Sequence, residues 1–338
     1  MLTQSAKLNP KVFDADVEQV AIRVGFGQGL LAAGEADERV VGLCADLTES
    51  TQMHLFARKF PERFIEIGIA EQNMASVASG MAAMGKIPFI TSYAMFSPGR
   101  NWEQIRTTIC YNDRPVKIAG SHAGVSVGPD GGTHQAIEDI AITRVIPRMV
   151  VISPCDAVEA HKATLAAAKT TQPTYIRLSR EKSPIITMDT PFEIGKAQIF
   201  FEPPTGKPDV LIIATGALVY KALVAARDLE RDEKIGVTVI NLSTIKPLDE
   251  KTILKAAQSA GAIVTVEEHQ IAGGMGSAVA EALAQQVSSA QKYAIPHEFI
   301  GVRDEFGQSG TSSELIEQYG MGVESIKAAA KRAIKRKG

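Results

Sequence analysis

The run RFIEIGIAEQNMASVASGMAAMG, Arg63 to Gly85, restricts the fold more than any other part of the sequence. Phe64-Ile65-Glu66-Ile67 has the length and apolarity of a buried strand. Gly68 provides a turn, and from about Ala70 a series of Ala, Ser, Gly and Met spells a helix slim enough to pack closely. This is a strand–turn–helix unit with Glu71 in the first helical turn, as the one charge of the helical part. In open α/β sheets ligands bind beyond the carboxyl ends of the strands, where Glu71 would stand. Taken alone, its carboxylate reads either as a helix N-terminal acid favoured by the macrodipole or as a buried acid that fixes the tautomer of a heterocycle.

The rest of the chain repeats the unit. Strands are expected at Val40–Cys44, Ile87–Ile90, Val116–Ala119, Met149–Ile152 and Thr174–Leu178, with helices at Asn101–Tyr111 and Asp156–Lys169. Met1 to Phe13 reads as a loose leader, followed by a helix capped by Asp14 or Asp16 and running to about Ala33. Within that helix, GFGQG (Gly25 to Gly29) resembles a nucleotide loop, but no strand is expected before it, so it reads as close helix packing. Five prolines from Pro184 to Pro208 mark a linker with a short β segment near Ala197 to Phe201. A second series then begins at Asp209–Ile213 and continues through strands at Val237–Leu242, Ala262–Glu267 and Glu298–Val302. The alternation predicts an α/β chain of two doubly wound, mainly parallel-sheet domains, at residues 14–183 and 209–338, with 184–208 between them.

Composition bounds the function. A net charge of −2 gives no electrostatic case for nucleic acid or membrane, and no apolar run reaches the roughly 18 residues a membrane span needs. With no signal-peptide pattern and three widely spaced cysteines, a cytoplasmic protein without a disulfide framework is expected. The basic tail from Lys331 to Lys337 suits the carboxyl end of a helix.

Polar residues follow successive strand ends in the first half: Asp46 and Ser50, then Glu71, then Tyr93 and Phe96, then His122, Asp130 and His134, and finally Arg180. In a parallel sheet these ends share one edge, so the side chains can converge. His122 and His134 lack partners at zinc-ligand spacing, and no GxSxG elbow occurs. An acid, an aromatic pair, two histidines, an aspartate and separated arginines suit a heteroaromatic cofactor and an anionic, hydroxylated substrate. The second half offers few reactive groups; His269, the main one, reads as structural or interfacial, and GGMGS (Gly273 to Ser277) lacks the third glycine of a dinucleotide loop.

Several segments carry a resemblance. IEIGIAEQNM resembles the segment of thiamine-diphosphate enzymes whose glutamate meets the aminopyrimidine ring, and GPDGGTHQAIED is similar to the histidine loop of transketolases. VISPCDAVEA, TYIRLSRE and EEHQIAGGMGSAVAEAL extend the likeness over roughly Asp16 to Ile334. The beta subunits of 2-oxo acid dehydrogenases share the GIAEQ segment but differ in the histidine loop, and a non-catalytic module of the same fold is the third reading. Transketolases hold the diphosphate and Mg²⁺ through a GDG…N motif, and no GDG occurs in this chain. The resemblance is therefore to the pyrimidine and carboxy-terminal domains, as in the carboxy-terminal subunit of a split transketolase. It implies a partner that brings the GDG…N half, a heterotetramer, and sugar-phosphate substrates exchanging a two-carbon ketol unit.

The same resemblance implies roles for individual residues. Glu71 would hydrogen-bond the aminopyrimidine and favour its imino tautomer, with Tyr93 and Phe96 stacking on the cofactor and Asp46 near it. Asp130 and His134 would contact the sugar hydroxyls and carbonyl region. Arg23, Ser50, His122 and Arg180 would bind the sugar phosphate, arginine being apt because its planar fork can pair with two oxygens. No metal ligand is expected on this chain. Gly99 and Ala123 depart from the family, which has a tyrosine and an aspartate there.

Overall fold

Residues 1–285 and 294–337 are described by the structure, a computed structural model. Fourteen strands occur among them: β1 (Gln19–Ala21), β2 (Val40–Cys44), β3 (Phe64–Glu66), β4 (Ile87–Tyr93), β5 (Lys117–Ser121), β6 (Val150–Ile152), β7 (Thr174–Arg177), β8 (Lys182–Pro184), β9 (Gln198–Phe201), β10 (Val210–Ala214), β11 (Val237–Asn241), β12 (Thr244–Lys246), β13 (Ile263–Gln270) and β14 (His297–Val302). One sheet has the order β12-β6-β7-β5-β4-β2-β3, a second the order β14-β13-β10-β11-β9, and β1 pairs with β8 alone. The central strands β2, β10 and β11 are buried along their whole length. Their near-continuous apolar runs suit strands covered on both faces by helices. All pairings in the first sheet are parallel except β12 with β6, and in the second all are parallel except β9 with β11. Two doubly wound α/β sheets are thus the architecture, as the alternation of strands and helices predicts.

The two halves interlock. Strand β12 comes from the second series yet extends the first sheet through Thr244 opposite Ile152. The amino-terminal segment also differs from a loose leader. Thr3 donates its N–H to Phe200 O at 3.0 Å, Leu2 bridges Phe201, and Val12 is fully buried in the core of the second sheet. Apolar Leu2, Leu8 and Val12 therefore find a partner that only tertiary structure supplies.

The first long helix is Ile22–Ala36, not a helix begun at Asp14 or Asp16. Residues Gln19 to Ala21 instead pair antiparallel with Lys182 to Pro184, which takes the backbone groups that a longer helix would use. A strand does precede Gly25–Gly29, against expectation, but the glycines serve packing as expected. A Cβ on Gly25 would lie 1.8 Å from Ala157 O, and one on Gly29 would lie 2.8 Å from Thr164 Cβ, on helix Ala157–Lys169. That helix is capped by Asp156, whose carboxylate accepts from Glu159 N. Among the described residues no helix is long and apolar enough to cross a membrane.

The two kinds of helical glycine should respond oppositely to substitution. Gly25→Ala must push the helix pair apart and is expected to cost at least about 1–3 kcal/mol. Gly80 lies in helix Glu71–Ala83 with open space around its Cβ position, so Gly80→Ala should stabilise by about 0.5–1 kcal/mol. Urea unfolding of the two variants checks both signs; a tolerated Gly25→Ala would refute the close approach.

Candidate active site

The Phe64–Glu66 strand ends at Gly68, whose φ of +77° turns the chain into helix Glu71–Ala83. Glu71 is the first residue of that helix and only 2% exposed. Its Oε2 accepts from Arg100 Nη1 at 2.8 Å and its Oε1 from Ser92 Oγ at 3.3 Å, while Asn101 Nδ2 donates to its backbone carbonyl at 3.1 Å. Ser92 belongs to β4, so the sheet itself fixes one donor. Arg100, half-exposed, also lies over the Phe96 ring at 4.7 Å.

Beyond Phe96 the aromatic groups continue. Tyr93 and Phe96 are nearly parallel with centroids 6.3 Å apart, and Tyr93 stacks on His122 at 3.9 Å. His134 stands edge-on to both, 5.5 Å from Phe96 and 6.2 Å from Tyr93. The next shell is basic. Arg23 donates to Ser50 O at 2.9 Å and to Arg180 O at 3.2 Å, and Arg180 lies 3.7 Å from Asp130. Arg180 also donates to Val127 O at 2.5 Å, within the histidine loop. Glu71, Tyr93, Phe96, His122, Asp130, His134, Arg23, Ser50 and Arg180 thus form one connected cluster, although 157 residues separate Arg23 from Arg180.

Asp46 stands apart from these contacts. It is exposed at the end of β2, with its N–H donating to Glu66 Oε1 at 2.7 Å. Asp46 and His122 both adopt left-handed backbone, φ +56° and +58°, at the ends of β2 and β5. Non-glycine residues in that region are uncommon and cluster where structure is spent on a site.

The two departures have local accounts. A Cβ on Gly99 would lie 1.9 Å from Met95 O, so no tyrosine fits this backbone, and Arg100 covers the Phe96 face beside it. Ala123 is fully buried with Ala94 and Ala136. Arg100 itself escapes the sequence reading. The available signal is its i, i+4 spacing from Phe96, which brings an arginine over an aromatic face.

Arg177 ends β7 as a buried cation. Its Nε donates to Asp139 Oδ2 at 2.8 Å, and Tyr175 Oη donates to the same oxygen at 2.6 Å. Its Nη2 donates to Glu268 O at 2.7 Å, across to the second sheet. His269 is fully buried, with Nε2 3.3 Å from Ala141 N, a structural placement.

Comparison with known proteins gives this arrangement a family. Residues 18–185 match the transketolase pyrimidine-binding domain and residues 202–326 the transketolase carboxy-terminal domain. The chain belongs to the transketolase family. It is 42% identical over 90% of its length to a Methanocaldococcus jannaschii protein assigned as a transketolase C-terminal section, of which it covers 93%. A Clostridium subunit of a 6-deoxy-6-sulfo-D-fructose transketolase is 37% identical, with 96% of this chain and 98% of that protein covered. Human transketolase is 36% identical over 94% of this chain, which spans only 49% of that protein. A solved split-gene transketolase, described as an inactive beta4 tetramer, superposes with a TM-score of 0.85 at 41% identity, covering 94% of this chain and all of that one.

The site imposes a pH dependence. Burial, then the positive charges of Arg23 and Arg180, push the His122 imidazole down from 6.5 to about 3. An unfolded chain binds that proton near 6.5. Between about 6.5 and 3 the unfolded state therefore holds more protons, and this group's contribution destabilises the fold progressively as pH falls through that window. NMR of the imidazole carbons should show His122 neutral and untitrated from pH 8 to 5; a midpoint near its ordinary value would contradict the buried neutral ring.

Proposed function

We propose that this chain supplies the pyrimidine-side wall and the substrate wall of a thiamine-diphosphate transketolase, and that a second subunit with a GDG…N motif supplies the grip on the diphosphate and Mg²⁺. The reaction is transfer of a two-carbon ketol unit from a ketose phosphate to an aldose phosphate, in a cytoplasmic heterotetramer with two subunits of each kind.

The observation that carries this reading is the company of Glu71. Its buried carboxylate meets a planar, N–H-donating guanidinium that also covers the Phe96 face. An aminopyrimidine makes the same two demands, a donor to a carboxylate and a flat partner on an aromatic face, so the residues present fit the group. When bound, the cofactor supplies the carbon nucleophile and electron sink for cleavage beside a ketose carbonyl.

This chain's own side chains do the rest. Glu71 holds the proton shared with the pyrimidine ring nitrogen, and Ser92 orients its carboxylate. Tyr93 and Phe96 exclude water from the ring faces, with Asp46 at the rim. Half-buried His134 faces hydroxyl and carbonyl oxygens, exchanging a proton at its Nε2 while Nδ1 is engaged by Thr133 at 2.9 Å, and neutral His122 stands with Arg23 and Arg180 on the phosphate side. Asp130 takes a sugar hydroxyl. Arg23 and Arg180, with Ser50, meet the phosphate. The family tolerates different donors: relatives are named for a sulfofructose and for apulose 4-phosphate, the latter a Phocaeicola vulgatus subunit 34% identical over 94% of this chain.

A coupled assay with xylulose 5-phosphate, ribose 5-phosphate, thiamine diphosphate and Mg²⁺ tests the reading. Transfer is expected only when this chain and the GDG…N subunit are mixed. Glu71→Ala or His134→Ala in the mixture should lower kcat/KM by about 100-fold or more. Full activity of either variant would remove its assigned role, and activity on a 2-oxo acid instead of the sugars would replace the reaction.

A further inference from the structure

The second domain contributes none of the clustered side chains, yet it touches the loop that carries three of them. The segment from Gly120 to Gln135 holds His122, Asp130 and His134 and is built mostly of glycine, serine and short turns. Besides the helical turn Val125–Asp130, its internal backbone bonds include Gly131 N to Gly128 O at 3.1 Å and His134 N to Gly131 O at 3.0 Å, and Gly124 N donates to Ala136 O at 2.8 Å just beyond it. Glycine-rich backbone carries high conformational freedom, so its shape must be set from outside.

Outside contacts come from the first domain, where Arg180 donates to Val127 O and Ala123 N donates to Leu178 O, and from β13 and the loop that follows β14 in the second. Glu268, only 5% exposed, accepts the Ser126 N–H through Oε1 at 2.6 Å. Gly124, at φ +87°, approaches so closely that a Cβ there would lie 2.2 Å from the same oxygen. Gln135 Nε2 ties Val125 O at 2.9 Å to Gln308 O at 3.0 Å. A Cβ on Gly132 would lie 2.6 Å from Gly307 O. The Glu268 backbone is itself fixed by Arg177, held in its buried pair with Asp139.

We propose that Glu268 is a positioning residue for the substrate side of the site, and that the second domain is the mould in which the histidine loop sets. The part of this proposal that concerns substrate rests on the transketolase reading; the part that concerns the loop does not. Burial raises the Glu268 carboxyl above its ordinary range, and its acceptor role survives protonation because a carbonyl oxygen still accepts the Ser126 N–H. A glutamine can therefore replace it, and an alanine cannot.

Amide hydrogen exchange on the whole chain separates these cases. Glu268→Ala should speed exchange in the 124–135 segment about tenfold or more, with β4 and β5 still protected, and Glu268→Gln should restore the native rate. In the mixed complex, Glu268→Ala should raise KM for both sugar phosphates about tenfold and leave the affinity for thiamine diphosphate unchanged. Gly132→Ala, which strikes the mould from the loop side, should give the same pattern and serves if Glu268→Ala does not fold. Unchanged loop exchange in both Glu268→Ala and Gly132→Ala, or equal disturbance by alanine and glutamine at position 268, would overturn the proposal. If the native mixture fails to turn over sugars, the functional reading falls while the exchange result still decides the mould.

Discussion

A carboxylate taken almost wholly out of water must find donors, and everything around Glu71 follows from that need. Leaving it unpaired would be far costlier than ordering the groups that meet it. Ser92 is presented by the sheet, Asn101 holds the Glu71 backbone, and Arg100 supplies the opposite charge at 2.8 Å. Arg100 is the variable member. It is half-exposed and lies over the Phe96 ring, whereas Ser92 and Asn101 are fully buried; in the proposed reading a flat nitrogen heterocycle takes its place. The helix N-terminus adds a favourable dipole for the acid, as the first reading of Glu71 expects.

Around this acid the fold works as two sheets that share parts. Strand β12 from the second series lengthens the first sheet, and the amino-terminal residues lie in the second sheet's core. Between them runs the Tyr175–Asp139–Arg177–Glu268 chain, an ionic and hydrogen-bonded seam in a buried setting. Such seams add little net stability compared with apolar packing, and their best use is to specify one arrangement. Here that arrangement brings the end of β13 against a glycine-rich loop that has little shape of its own. The second domain thereby acts on the site without entering it.

Much of this was legible in the sequence because parallel, doubly covered strands read as short apolar runs. The order from Val40 to Val302 appears almost strand for strand, and the convergence of Glu71, Tyr93, Phe96, His122, His134 and Arg180 follows from strand ends sharing an edge. What escaped depends on distant partners. Gln19–Ala21 looks helical until Lys182–Pro184 is placed beside it, and Val12 looks loose until the second core covers it. Thr244–Lys246 carries no local sign of joining the other sheet. Glu268 is an ordinary charged residue in sequence, revealed only by its burial against the histidine loop, and Arg100 offers no sign beyond its spacing from Phe96. Asp46, by contrast, is expected near the cofactor from the resemblance but is exposed and bonds through its N–H to Glu66, apart from the clustered side chains.

The central claim is that Glu71 anchors a cofactor whose diphosphate is held by another subunit. A calorimetric titration of thiamine diphosphate with Mg²⁺ tests it most directly, using this chain, the GDG…N subunit, and their mixture with native or Glu71→Ala chain. The account predicts tight binding only in the native mixture, with Glu71→Ala weakening it about tenfold or more. Binding to the partner alone that is unaffected by adding this chain, or equal affinity with and without the Glu71 carboxylate, would contradict it.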